Sequence, residues 1–166
     1  MTKRLIALPL ACMVLAAQAF PQTAAPAISG TDAIASRQAS MDMSSATLRL
    51  MAAAISAGGD AKTEGYPAYS LAKWAKVVPR MFPPGTGKDE MPADTNALAA
   101  IWKDRVGFEG VAADYAAATA QLSALAKAND TSGFKKQLVV VDQACRSCHT
   151  RFKGGMQTPP LEIASR

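Results

Sequence analysis

Cys145-Arg146-Ser147-Cys148-His149 is where this chain concentrates its chemistry. Two thiols stand three residues apart, and an imidazole follows the second. On a helix, positions i and i+3 project from one side, and i+4 lies one turn on. That spacing lets both sulfurs bond to one edge of a flat prosthetic group while the imidazole reaches its centre from the same side. Other uses of these residues fit less well. A redox-active dithiol usually opens a helix, where the dipole lowers the thiol pKa. Here the pair stands near the C-terminal end of a helical pattern, with no βαβ unit around it. A structural zinc ion would need further ligands. His149 is the one histidine among 166 residues, and the third cysteine, Cys12, lies far upstream in an apolar N-terminal run. Cys-x-x-Cys-His is the c-type haem attachment signature. The expected cofactor is therefore one haem c, covalently attached through Cys145 and Cys148, with His149 as an iron ligand.

The elements that must position this motif are helical. Alanine-rich composition with few β-branched runs favours helix throughout. Phe134, Leu138, Val141, Cys145, Cys148 and Phe152 follow steps of 4, 3, 4, 3 and 4. This stripe predicts a helix over about 133–153 and turns both cysteines inward. Gly154-Gly155 would end it. Ile34, Met41, Leu48 and Ile55 recur every seven residues and predict a helix over about 32–57, capped by Thr31 or Asp32 and ended by Gly58-Gly59. Leu71, Trp74, Val78 and Met81 predict a second over about 66–81, stopped by Pro83-Pro84-Gly85. A short helical piece carries Leu98, Ile101 and Trp102 after a loop at 85–94. Phe108, Val111, Tyr115, Ala118, Leu122 and Leu125 predict a long helix starting near Asp104. Asn129-Asp130-Thr131-Ser132 reads as a turn with a cap for the last helix. The expected fold class is all-α: an antiparallel up-down-up-down four-helix bundle with the haem motif at its C-terminal end.

The first residues belong to export rather than to the fold. Lys3 and Arg4 precede an apolar run, Leu5 to Ala17, and Ala17-Gln18-Ala19 offers a cleavage site. The run is too short to span a bilayer, and no later stretch is apolar enough to do so. The expected organisation is a signal peptide at 1–19, a flexible lead-in at 20–31, the bundle at 32–154 and a loose tail at 155–166. The expected location is the bacterial periplasm after Sec export. Without Lys3 and Arg4 the 18 basic residues become 16 against 13 acidic ones, a net charge of +3. This mild, scattered charge does not indicate nucleic acid.

The second axial position of the iron decides function, and methionine is the leading candidate because no second histidine exists. Met41 lies on the inward stripe of the first helix, while Met43 is about 200° further round. Met51 is roughly three turns beyond Met41. Met91 falls in a loop and Met156 in the tail. Plain core packing is the competing reading for Met41.

The chain resembles the class II cytochromes c, the family that contains cytochrome c′ and the low-spin cytochrome c-556 type. Arg37-Gln38-Ala39-Ser40-Met41, Phe82-Pro83-Pro84-Gly85-Thr86-Gly87, Ile101-Trp102 with Phe108-Glu109, and Cys145 to Lys153 carry the resemblance over about 34–153. It implies that Met41 faces the distal side of the haem. In low-spin members a methionine there is the sixth ligand; in cytochrome c′ the equivalent residue only blocks the site. It also implies that Arg37 pairs with a haem propionate, assisted by Gln38, whereas a solvated helix charge is the plainer reading of Arg37. Three positions depart from the family's habits: Lys153 stands for an arginine, Phe152 for a tyrosine and Asn96 for an arginine.

The leading expectation is a single-electron carrier with His149/Met41 iron, serving periplasmic redox proteins. The alternative is a five-coordinate cytochrome c′ that binds nitric oxide or carbon monoxide. The expectation is not an enzyme, because peroxidase-like chemistry would need a distal acid-base group. The first two helices offer a possible homodimer face, as the family often uses.

Overall fold

The computed structural model describes residues 28–157 and 159–163. The signal peptide at 1–19 and most of the lead-in lie outside the described residues. Helix α1 spans Gly30–Ser56. Its cap is Ser29, whose hydroxyl accepts from the Asp32 amide at 3.0 Å, rather than Thr31 or Asp32. Its other end is closed by glycine. Gly58 has φ +94°, its N–H donates to the Ile55 carbonyl, and the Gly59 N–H donates to the Ala54 carbonyl. This paired pattern satisfies carbonyls that the helix leaves open.

Helix α2 is shorter than expected. It spans Gly65–Ala75, and a separate 3-10 turn covers Val78–Met81, with Pro79 inside it. Proline lacks the N–H that a continuous helix would need and disfavours α geometry in the residue before it. The apolar spacing survives because Val78 and Met81, three apart, share a face in a 3-10 turn as in a helix. After a long loop, α3 is a single turn at Ala100–Lys103. Helix α4, Arg105–Lys127, starts at Asp104, whose carboxylate accepts from the Gly107 amide. Helix α5, Thr131–Phe152, starts at Asp130, whose carboxylate accepts from the Gly133 amide at 2.8 Å.

α1, α2, α4 and α5 form the expected four-helix bundle, each packed on two neighbours in the cyclic order α1-α2-α4-α5. The ends alternate in direction. Arg105 at the start of α4 reaches the Pro79 carbonyl beyond the end of α2, and Arg151 at the end of α5 reaches Asp104. At the opposite end the Lys62 amide meets Asn129. One core runs the length of the bundle through Met51, Leu71, Leu122, Phe134, Leu138 and Val141. A smaller aromatic core sits at the end that carries the cysteines: Phe108 packs edge-on against both Phe82 and Phe152, at 5.1 and 5.3 Å between centroids.

Part of the tail expected to be loose, residues 159–163, lies against the bundle. Leu161 and Ile163 pack against the main core. Two apolar side chains behind a stiff Pro159-Pro160 pair bury surface at little cost in chain entropy.

Candidate haem site

The last two turns of α5 bring Cys145, Cys148 and His149 to one side, all half-buried. The three border a cavity that lies between α5, α4 and α1, with Met41, Leu48, Val111 and Tyr115 on its other walls. Cys148 and His149 also border a second, larger cavity of about 400 Å³. Its walls include Arg37, Gln38, Met41, Phe82, Asn96 and Lys153. That volume is in the range of small-molecule sites, roughly 300–1,000 Å³. Met41, on the inward stripe of α1, borders both cavities, as His149 does.

The chemistry of the donors fits a covalently held haem. Burial, and then the Asp142 carboxylate, push the Cys145 thiol up to about 12. Burial pushes Cys148 up to about 11, with Arg151 opposing. Both are free thiols, protonated at neutral pH, the reverse of an activated redox dithiol. Burial, and then the Lys153 charge, hold His149 below the ordinary histidine range, so its imidazole is neutral and able to ligate a metal. His149 Nδ1 is buried with no hydrogen-bond partner. An imidazole whose nitrogens are not claimed by neighbouring side chains is free to take up a ligating role.

Arg37 supplies a second test of fit. It is 3% exposed, so the solvated-charge reading fails. Its Nη1 donates to Thr86 Oγ1 at 2.7 Å and to the Met81 carbonyl at 3.4 Å. Its Nη2 donates to the Thr86 carbonyl and to Thr95 Oγ1 at 2.9 Å. The plane lies 4.6 Å over the Phe82 ring. Every one of these oxygens is uncharged, and no ion pair reaches Arg37 among the described residues. A buried cation without a counter-charge is costly. A cavity wall is where an anionic edge of a bound group, such as a propionate, would relieve it. Gln38, exposed on the same wall, donates to the Asp94 carbonyl at 2.8 Å. The two residues thus hold the loop that frames the cavity.

The turn after His149 is stitched in place. The Gly154 amide donates to the Asn96 carbonyl at 2.8 Å, and the Leu98 amide to the Phe152 carbonyl at 3.0 Å. Ala97 and Lys153 form a single antiparallel bridge. Lys153 Nζ is spent on the Met156 carbonyl at 2.7 Å. Sequence reasoning did not single out Tyr115, Thr86, Thr95 or Leu161 as site residues. Tyr115 was visible only as a core stripe position, and the two threonines lie in a loop without periodicity.

A family model described as cytochrome c′ matches residues 32–153. The chain belongs to the cytochrome c′ family. Cytochrome c′ of Rubrivivax gelatinosus is 33% identical over 94 residues, 57% of this chain and 70% of that protein. Its crystal structure aligns with a TM-score of 0.66 at 30% identity, covering 75% of this chain and 97% of the other. Cytochrome c′ of Rhodopseudomonas palustris is 31% identical over 131 residues, 76% of this chain and 85% of its own. A nitric oxide complex of a variant cytochrome c′ from Alcaligenes xylosoxidans aligns with a TM-score of 0.67, covering 76% and 97% of the two chains; at 21% identity it shows the fold alone. Membership in the family implies a covalently bound haem c, and Cys145 and Cys148 are the thiols present to take it.

Proposed function

We propose that this chain is a gas-binding cytochrome c′, with His149 on one face of the haem iron and the other face open to nitric oxide or carbon monoxide. The observation that carries the reading is the cavity itself: one neutral, half-buried imidazole shares it with Met41, Leu48, Val111 and Tyr115, with no second histidine in the chain. When bound, a haem supplies an iron centre that takes a diatomic gas on its open face. The chain's own residues do the rest. Cys145 and Cys148 would hold the group through their sulfurs, and His149 would ligate its iron. Arg37 and Gln38 hold the loop at the cavity's mouth. Met41 acts as an apolar lid.

This reading displaces the low-spin His149/Met41 electron carrier expected from the sequence. The matching relatives are cytochromes c′, and a variant of a structural neighbour of the same name carries nitric oxide in its crystal structure. We read the protein as a binder rather than an enzyme, since the chain's one histidine is already assigned to the iron. Its place is the periplasm, on the evidence of the export signal read at 1–19. Among the described residues no helix is long and apolar enough to cross a membrane.

The deciding experiment is the visible spectrum of the holoprotein, ferric, then ferrous, then under carbon monoxide. Broad high-spin bands that sharpen with carbon monoxide are expected, and Met41→Ala should leave the spin state alone. Sharp low-spin bands that ignore carbon monoxide, converted to high-spin by Met41→Ala, would restore the electron carrier.

A further inference from the structure

The family match ends at Lys153, yet one wall of the cavity comes from beyond it. Residues 159–163 lie along α1, where Arg49 Nη2 donates to the Pro159 carbonyl at 3.4 Å. Leu161, half-buried, borders the smaller cavity together with Ser45 and Arg49 of α1 and Ala144 and Cys145 of α5. Those neighbours place it at the seam between α1 and α5. The α1 side of that seam is built from short or flexible side chains, Ser44, Ser45 and Arg49, which leave room for a leucine.

We propose that residues 159–163 form a strap across the α1–α5 seam, and that Leu161 is a selecting residue of the cavity, closing its flank to water and limiting how fast a diatomic gas enters. The two prolines pre-set the backbone, so docking the strap orders few dihedrals. One long hydrogen bond and two part-buried side chains hold it more weakly than the helices hold one another. Such a segment opens locally while the bundle stays folded. The proposal rests on the gas-binding reading, because a gate has a purpose only if something passes it.

The test uses the full-length holoprotein and three variants. Leu161→Ala should bind carbon monoxide several-fold faster in the ferrous state, and Leu161→Trp should bind it more slowly. Glu162→Ala, which alters the strap away from the cavity, should match the parent. Equal rates for the parent and both Leu161 variants would overturn the strap. If the parent takes up no carbon monoxide, the gas-binding reading falls, and amide exchange then judges the strap alone. Faster exchange at 44–49 and 141–145 in Leu161→Ala would sustain it, and unchanged exchange there would sink it.

Discussion

Arg37 shows how one residue serves fold and site together. Four hydrogen bonds tie its guanidinium to Met81, Thr86 and Thr95, so it fastens α1 to the loop that frames the cavity. A leucine in its place would fill some of the volume but leave the Met81 and Thr86 carbonyls without this donor, while Thr86 Oγ1 keeps the Pro83 carbonyl and Thr95 Oγ1 keeps the Ala97 amide. Unpaired buried groups cost about 1–3 kcal/mol each. Arg37→Leu should therefore lower stability by on the order of 3 kcal/mol, read as a shifted urea midpoint at constant m-value. Arg37→Lys should rescue only part of it, since an ammonium lacks the planar fork. The haem motif was legible from residue types and spacing alone, because covalent attachment demands them. The burial of Arg37 was not. Its partners Thr86 and Thr95 lie 49 and 58 residues away in sequence, and no local pattern announces them.

At the scale of elements, caps and glycines decide where helices stop. α1, α4 and α5 were readable because their apolar steps and their polar starts agree. The split between α2 and the Val78–Met81 turn was hidden, since the apolar spacing continues through Pro79 while the backbone does not. Gly58 marks the sharpest boundary. Its φ of +94° is disfavoured for any residue with a Cβ, although a Cβ there would meet nothing within 4 Å. The cost of Gly58→Ala is thus conformational rather than steric, about 1–2 kcal/mol, and a thermal melt should show it. The spectrum should stay as it is, because Gly58 sits at the end of the bundle far from the cysteines.

On the whole molecule, the first two helices expose large apolar side chains. Met43 and Leu50, seven apart on α1, are 62% and 70% exposed, and Tyr66 on α2 is 80% exposed. We propose that they form the homodimer face expected on the first two helices. Leu50→Glu should then yield a monomer by analytical ultracentrifugation, with melting of the monomer near that of the parent, because Leu50 touches no core. A parent that sediments as a monomer at all concentrations would remove the dimer. The bundle itself was foreseeable from four apolar stripes and short connections. The docking of Leu161 and Ile163 was not, since two apolar residues spaced by one look alike in a tail and in a strap.

The position of the cysteines on α5 has a consequence for how the protein is made. Along the chain the segments of α1, α2 and α4 precede Cys145 and Cys148, so the residues of three cavity walls arrive before its anchors do. Until α5 arrives, the apolar faces of those helices have nothing to close upon. Once α5 has docked, both thiols are half-buried, protonated and turned inward. Loading of the prosthetic group is therefore easier before the last long helix docks than after, which would tie maturation to the final assembly step.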